Sequence, residues 1–227
     1  MTTALLVLEN PWDIPADNPK RASVFPFLQG LEKLLNNFNL YYANFYDDSG
    51  FRKALKYDLI HTNEDNQILY AASHGSKYCL AKGTVFVLKS IPKYGAKIKG
   101  VIIGCCGIGA NINILKSICQ YSETSEAYGA NWVFAYKHVI DWMPSALIDL
   151  SILNEILSFD IPPYQKETIL DSFVKALSIF NPYHEIATTI RGVRKTTKET
   201  IRLIIRPAGP PTIYDATSEL IRRLNWD

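Results

Sequence analysis

Several features are missing from this sequence, and each absence excludes something. No apolar run approaches the length of a bilayer span, so no membrane-crossing helix and no membrane partner are expected. The opening stretch, Met1 to Asn10, lacks a basic segment, and its apolar run is too short for a secretory leader, so it reads as a first buried strand. Four cysteines, two of them adjacent, show no framework spacing, which argues against a disulfide-stapled secreted scaffold. There is no C-x-x-C pair, His61 and His184 have no partners at ligand spacing, and no metal or other cofactor is expected. Charge of either sign is not in excess: 24 Lys and Arg against 22 Asp and Glu leave +2, which gives no pull toward nucleic acid. The expectation is a cytoplasmic protein of a reducing compartment. What remains is ordinary globular composition, 48% hydrophobic and 20% charged over 227 residues, enough for one good core.

Strand-like and helix-like runs alternate through the first two thirds. Strands are expected at 4–9, 40–46, 67–73, 101–105 and 130–136. Between them come a Pro-rich loop at 11–19, a helix at 24–36 capped by Ser23, and a short helix through Lys56 capped by Ser49. A turn at Lys82-Gly83, a short helix at 85–91, the breaker Pro92 and a helix at 108–120 complete the series. This order predicts an α/β fold with a mostly parallel sheet and helices on both faces. Val101-Ile102-Ile103 fits, because a strand covered on both sides reads as a continuous apolar run. Beyond Trp142 the pattern changes, with helices at 144–158 and 166–180 and a last one at 215–224. Residues 187–206 stay open between a long helix and strands; as a helix they would line up Arg191, Lys195, Lys198 and Arg202 on one solvated face. The expected organisation is a core at 1–145 and a mainly helical extension at 146–227, packed on that core and not an independent domain.

Two strand ends carry the chemistry. Ile68 to Gly75 and Val101 to Gly107 are each an apolar run that stops at a potentially reactive side chain beside a glycine. In an open α/β sheet the carboxyl ends of strands share one rim, where ligands bind. His74 and Cys106 would meet there, as a nucleophilic thiol and the imidazole that takes its proton. Gly104, Gly107 and Gly109 would let a substrate backbone come close. Backbone N–H groups at the start of the helix after Gly107, and that of Gly75, could bind an oxyanion and lower the thiol pKa. Strand alternation turns Cys105 away from Cys106 and into the core. Cys79 and Cys119 read as packing residues. Asp13 and Asp47, near strand ends, leave a third orienting carboxylate open.

Ser73-His74-Gly75 at a strand end, followed by an apolar strand closing in Cys105-Cys106-Gly107, resembles the caspase-like cysteine peptidases of clan CD. Among them it is nearest to the bacterial CHAT-type domains, whose motifs are His-Gly and Ala-Cys. The resemblance covers roughly residues 1–145 and implies a three-layer sandwich around a mostly parallel sheet. It further implies Cys106 as nucleophile, His74 as base, and the N–H groups of Gly75 and Cys106 as oxyanion hole. The segment from Tyr136 to Trp142 would shape the pocket for the residue before the cut (P1), with Asp141 holding a basic side chain and Trp142 forming a wall. The implied activity is hydrolysis of a protein or peptide through a thiol acyl-enzyme. The implied setting is an effector of bacterial defence or stress, latent until a partner protein releases it. The sequence departs from the caspase signature Q-A-C-[RQG]-G: Gly104 and Cys105 replace Gln and Ala, and Ile108 follows Gly107. Cys106 follows His74 by 32 positions (106 − 74), against about 50 in that signature.

Two alternatives stay open. One is a catalytically silent caspase-like interaction module. The other is a small-molecule or nucleotide-binding protein on a flavodoxin-like sheet, suggested by the Gly104 to Gly109 turn. That turn fails G-x-G-x-x-G, since Ile112 stands where the third Gly belongs, and Glu123 and Glu126 fall in a loop.

Overall fold

The computed structural model describes residues 3–11, 23–94, 97–159, 162–209 and 212–226. The chain runs β1 (Thr3–Glu9), α1 (Phe25–Leu35), β2 (Phe38–Asn44), α2 (Asp48–Lys53), a π-helical turn (Ala54–Leu59) and β3 (Asn66–Ala72). A hairpin of β4 (Cys79–Leu80) and β5 (Gly83–Thr84), a 3₁₀ turn (Val85–Ser90) and α3 (Ile91–Tyr94) lead into β6 (Ile98–Gly104). A second 3₁₀ turn (Ile108–Ala110), α4 (Ile112–Ile118), a hairpin of β7 (Tyr121–Ser122) and β8 (Ala127–Tyr128), and β9 (Trp132–Tyr136) come next. The last third holds β10 (Val139–Ile140), α5 (Trp142–Leu157), α6 (Lys166–Leu177), β11 (Glu185–Thr188), β12 (Arg194–Thr196), α7 (Thr197–Thr200), β13 (Ile201–Ile205), β14 (Tyr214–Asp215) and α8 (Thr217–Arg223). No helix among the described residues is long and apolar enough to cross a membrane.

The main sheet has the order β14-β13-β9-β6-β3-β1-β2. From β2 to β9 every pairing is parallel, and β13 and β14 close that end antiparallel. Each central strand feeds two cores, because successive side chains point to opposite faces. On β1, Leu5 and Val7 join the cluster with Leu28, Ile152, Phe173 and Leu220, while Ala4, Leu6 and Leu8 join the one with Phe51, Leu55, Leu88 and Leu115. On β6, Ile102 faces the first and Val101 and Ile103 the second. That double burial is why these strands are uninterrupted apolar runs.

Local chemistry moved several expected boundaries. Helix α2 is capped by Asp47, whose carboxylate accepts from the Gly50 N–H at 2.7 Å, not by Ser49. The α1 N-cap is Val24, not Ser23, which lies one position earlier and accepts from the Phe25 N–H at 3.2 Å. The single helix expected at 108–120 is split: Gly107 enters at φ 70°, a 3₁₀ turn comes after it, and the Asn111 side chain restarts the chain as α4. Residues 187–206 resolve as strands around the single turn α7, so the basic helical stripe does not form. Capping fixes that turn: Thr196 and Glu199 bond to each other's backbone N–H groups. Residues 146–227, expected as mainly helical, also supply β11 to β14, and β13 pairs with β9 in the main sheet. Of the Pro-rich loop expected at 11–19, residues 12–19, Asp13 among them, lie outside the described residues.

Two glycines test this packing. A Cβ on Gly109 would lie 2.6 Å from the Tyr136 carbonyl carbon, whereas one on Gly30, inside α1, would meet nothing within 4 Å. Gly109→Ala should therefore cost about 2–3 kcal/mol in urea unfolding. Gly30→Ala should gain about 0.5–1 kcal/mol. Equal stability of the two variants would contradict the close approach of the Gly109 turn to β9.

Candidate active site

Three neighbouring strands deliver their carboxyl ends to one rim. β3 and β6 pair in parallel with Ala72 opposite Gly104, so His74 and Cys106 leave the sheet in adjacent loops at equal height. The Ser73 N–H still points to the Gly104 carbonyl at 3.5 Å. Gly75 then presses on the other loop: a Cβ there would sit 3.0 Å from Cys105 Cβ and 3.2 Å from the Cys106 carbonyl oxygen. The β9 end joins through the Gly107 N–H, which donates to the His138 carbonyl at 2.8 Å.

His74 is exposed, on a braced loop. Its carbonyl accepts from the Ala81 N–H at 2.9 Å and from the Ser73 hydroxyl at 2.7 Å. The β4–β5 hairpin folds back on this loop, and the Ser76 N–H donates to the Cys79 carbonyl at 2.9 Å.

The adjacent cysteines part as strand alternation predicts. Cys105 is buried in the second core and its thiol donates to the Ala71 carbonyl at 3.5 Å. Burial drives its pKa well above the ordinary value. Cys106 is half-buried and lines open space. Burial raises its pKa, backbone hydrogen bonds from Ile140 and from its own residue oppose the rise, and the Asp141 charge adds to it. The resting group is a thiol at neutral pH. This differs from the lowering expected from a succeeding helix, because the chain after Gly107 forms only a three-residue 3₁₀ turn. Cys119 is buried as expected, its pKa pushed up to about 12 by burial, whereas Cys79 is exposed on β4 and not a packing residue.

Cys106 borders two spaces. One is a narrow cavity of about 10 Å³, room for about one water, walled by Trp142, Ile140 and Gly104. Trp142 meets Phe27 edge-to-face, with ring centroids 5.8 Å apart. Gly104, where the caspase signature has Gln, leaves the way open to Tyr70 and Asp149: a Cβ there would lie 2.8 Å from the Tyr70 ring and 2.9 Å from Asp149 Oδ2. The other space is an open groove of about 600 Å³ bounded by the ends of β9 and β10 and by the β11–β12 hairpin.

Asp141 is engaged elsewhere: Arg194 holds its carboxylate at 2.8 Å on the surface. The carboxylate in the cavity is Asp149, which sequence reasoning missed. It is buried on α5, where the Tyr70 hydroxyl donates to Oδ2 at 2.9 Å and the Tyr136 hydroxyl to Oδ1 at 2.7 Å. The available signal was a lone carboxylate between Ile148 and Ile152 on an apolar helix face. Glu9 was also missed. At the end of β1 it accepts from the Val24 N–H and from the Ser23 and Tyr42 hydroxyls, fixing the start of α1 beside the cavity. Asp47 is spent on its cap, and His61 and His184 lie away from the rim in turns.

The Asp149 environment sets a pH dependence. Burial raises its pKa from 3.8 to about 7, against the lowering effect of the two tyrosine hydroxyls. Between about pH 4 and 7 the folded protein keeps a proton that the unfolded chain has lost. Stability should therefore fall as pH rises through that window and level off above it. The full effect is on the order of 4 kcal/mol. Asp149→Asn should remove this slope, so urea midpoints of parent and variant diverge from pH 4 to pH 8 in the variant's favour. Parallel curves would refute the raised pKa.

No protein-family model matches the chain, and no curated protein is similar to it in sequence. Solved structures are similar in fold. Caspase-1 from Spodoptera frugiperda superposes with a TM-score of 0.52 at 11% identity, over 91% of this chain and 87% of that one. A secreted C11 cysteine protease from Bacteroides thetaiotaomicron gives 0.49 at 11% identity, over 97% of this chain and 68% of that one. With its mostly parallel seven-stranded sheet between two layers of helices, the chain has the caspase-like fold.

Proposed function

We propose that this protein is a cysteine endopeptidase in which Cys106 attacks the scissile carbonyl and His74 moves the proton. The observation that carries the reading is the half-exposed Cys106 thiol, set beside the His74 loop and between a side-chain cavity and an open groove. His74 takes the thiol proton as the Sγ–C bond forms, then gives it to the leaving amine as the C–N bond breaks. Water, deprotonated by His74, then forms a C–O bond with the thioester carbon, the C–Sγ bond breaks to release the acid, and His74 returns the proton to Sγ. The N–H groups of Gly75 and Cys106 bind the oxyanion.

The cavity receives the P1 side chain. Trp142 is its wall and Asp149 its floor, which selects a cationic residue, while Asp141 stays paired with Arg194. A cavity closed by Trp142 against Phe27 and a thiol held protonated fit a latent resting state, opened by a partner protein. The CHAT-like motifs extend the proposal to an effector role in bacterial defence or stress.

The raised thiol pKa also favours a second reading, a catalytically silent module. The nucleotide-binding reading has less room: the Gly107 turn is packed by the Lys77 backbone and Gly109 by that of Tyr136.

Fluorogenic peptides with Arg or Lys at P1 separate the two readings that remain. Hydrolysis should disappear in Cys106→Ala and fall at least about 100-fold in His74→Ala. Turnover that survives Cys106→Ala, or none under any condition, refutes the peptidase.

Native iodoacetamide labelling reads the thiol directly. Cys105 and Cys119 should resist, and the rate at Cys106 should still be climbing above pH 9. Burial is the main cause of the raised pKa and the Asp141 charge a lesser one, so Asp141→Asn should speed labelling at neutral pH only slightly.

A further inference from the structure

The groove on the far side of Cys106 is not used by the chemistry proposed above. Its two components are apolar surface and positive charge. Val139, Ile190 and Val193 face it at 46%, 95% and 58% exposure. The hairpin that carries two of them is a closed turn. The Thr189 N–H donates to the Val193 carbonyl at 2.8 Å and the Gly192 N–H to the Thr189 carbonyl at 2.9 Å, with Gly192 at φ 81°. A fixed turn that holds an isoleucine almost wholly in water is a contact surface whose ordering cost is already met.

The charge has one sign. Lys77, Lys137, Arg191 and Lys195 line the groove and no Asp or Glu does. Lys195 is paired with Glu199 at 2.6 Å. No ion pair among the described residues engages Lys77, Lys137 or Arg191. His138 also lines the groove, and burial together with Lys137 lowers its pKa, so it adds no positive charge near neutrality. An occupant that matches this surface carries both apolar and anionic groups.

Position says which part of a substrate that is. The narrow cavity and the groove share a single lining residue, Cys106. A chain whose P1 side chain enters the cavity places its scissile carbonyl at the thiol, and the residues beyond the cut continue into the groove. We infer that the groove binds the leaving segment of the substrate, selecting apolar and acidic residues after the scissile bond. This rests on the peptidase reading, and two readouts keep the two claims apart.

The probes are two labelled peptides with the same basic P1, one continuing as Leu followed by three Glu, the other as Leu followed by three Lys. Cleavage by the full chain gives kcat/KM, and anisotropy on the Cys106→Ala protein gives binding without turnover. The acidic peptide should be favoured roughly tenfold in each readout, less so at high salt. Arg191→Glu combined with Lys77→Glu, both exposed positions, should reverse the preference, and Ile190→Ser should weaken both peptides alike. Hydrolysis with no preference overturns the groove assignment and leaves the peptidase standing. Preferential binding that the charge reversal abolishes, with no hydrolysis by the chain alone, supports the groove and fits both the latent peptidase and the silent module, which the Cys106→Ala turnover comparison decides separately. Failure of both peptides to bind overturns the groove assignment.

Discussion

The parallel pairing of β3 with β6 is the constraint on which the site depends. It puts Ala72 opposite Gly104, and from there both chains leave the sheet with nothing between them. Gly75 can then lie against the Cys105–Cys106 backbone only because it has no side chain. A one-residue slip in that register would turn Cys106 into the core and bring Cys105 to the rim. The two apolar clusters fix the register, since on β6 Ile102 belongs to one and Ile98, Val101 and Ile103 to the other. Core packing thus decides which of two adjacent thiols meets solvent.

Around that rim, burial dominates the electrostatics. It holds the Cys106 thiol in its neutral form and keeps the Asp149 carboxyl neutral below about pH 7, and in both cases hydrogen bonds oppose it without winning. A ligand cation in the cavity would reverse the balance at Asp149, because an opposite charge at contact favours the ionised form. The resting molecule is therefore electrically quiet on the cavity side of the thiol and positive on the groove side.

Much of this was legible in the chain. Continuous apolar runs ending in His74 and Cys106 gave strand positions within a few residues and a parallel α/β sheet, and the resemblance of the two motifs to the caspase-like peptidases implied the caspase-like fold. The burial of Cys105 came from alternation alone. The signals that failed were of two kinds. Residues 187–206 are β-branched and basic, so periodicity could not separate helix from strand, and only pairing with β9 and β10 decides it. Asp149 is recognisable only through Tyr70 and Tyr136, on two other elements, and a contact between residues 79 positions apart has no local trace. Asp141 shows the converse: its neighbourhood in the chain suggested a pocket, and its partner Arg194 comes from a hairpin that could not be foreseen.

The antiparallel closure of the sheet also bears on how the chain is made. β9 is apolar and fully buried, and the strand that covers its outer edge, β13, begins roughly 65 residues later. At the usual pace of synthesis the ribosome needs roughly 3–13 s to supply that interval. Throughout it, Trp132 to Tyr136 present an unpaired, uncharged strand edge to solvent or to a neighbouring nascent chain. The interval of greatest edge exposure thus falls after the strands of the candidate site have been made and before the last third of the chain arrives.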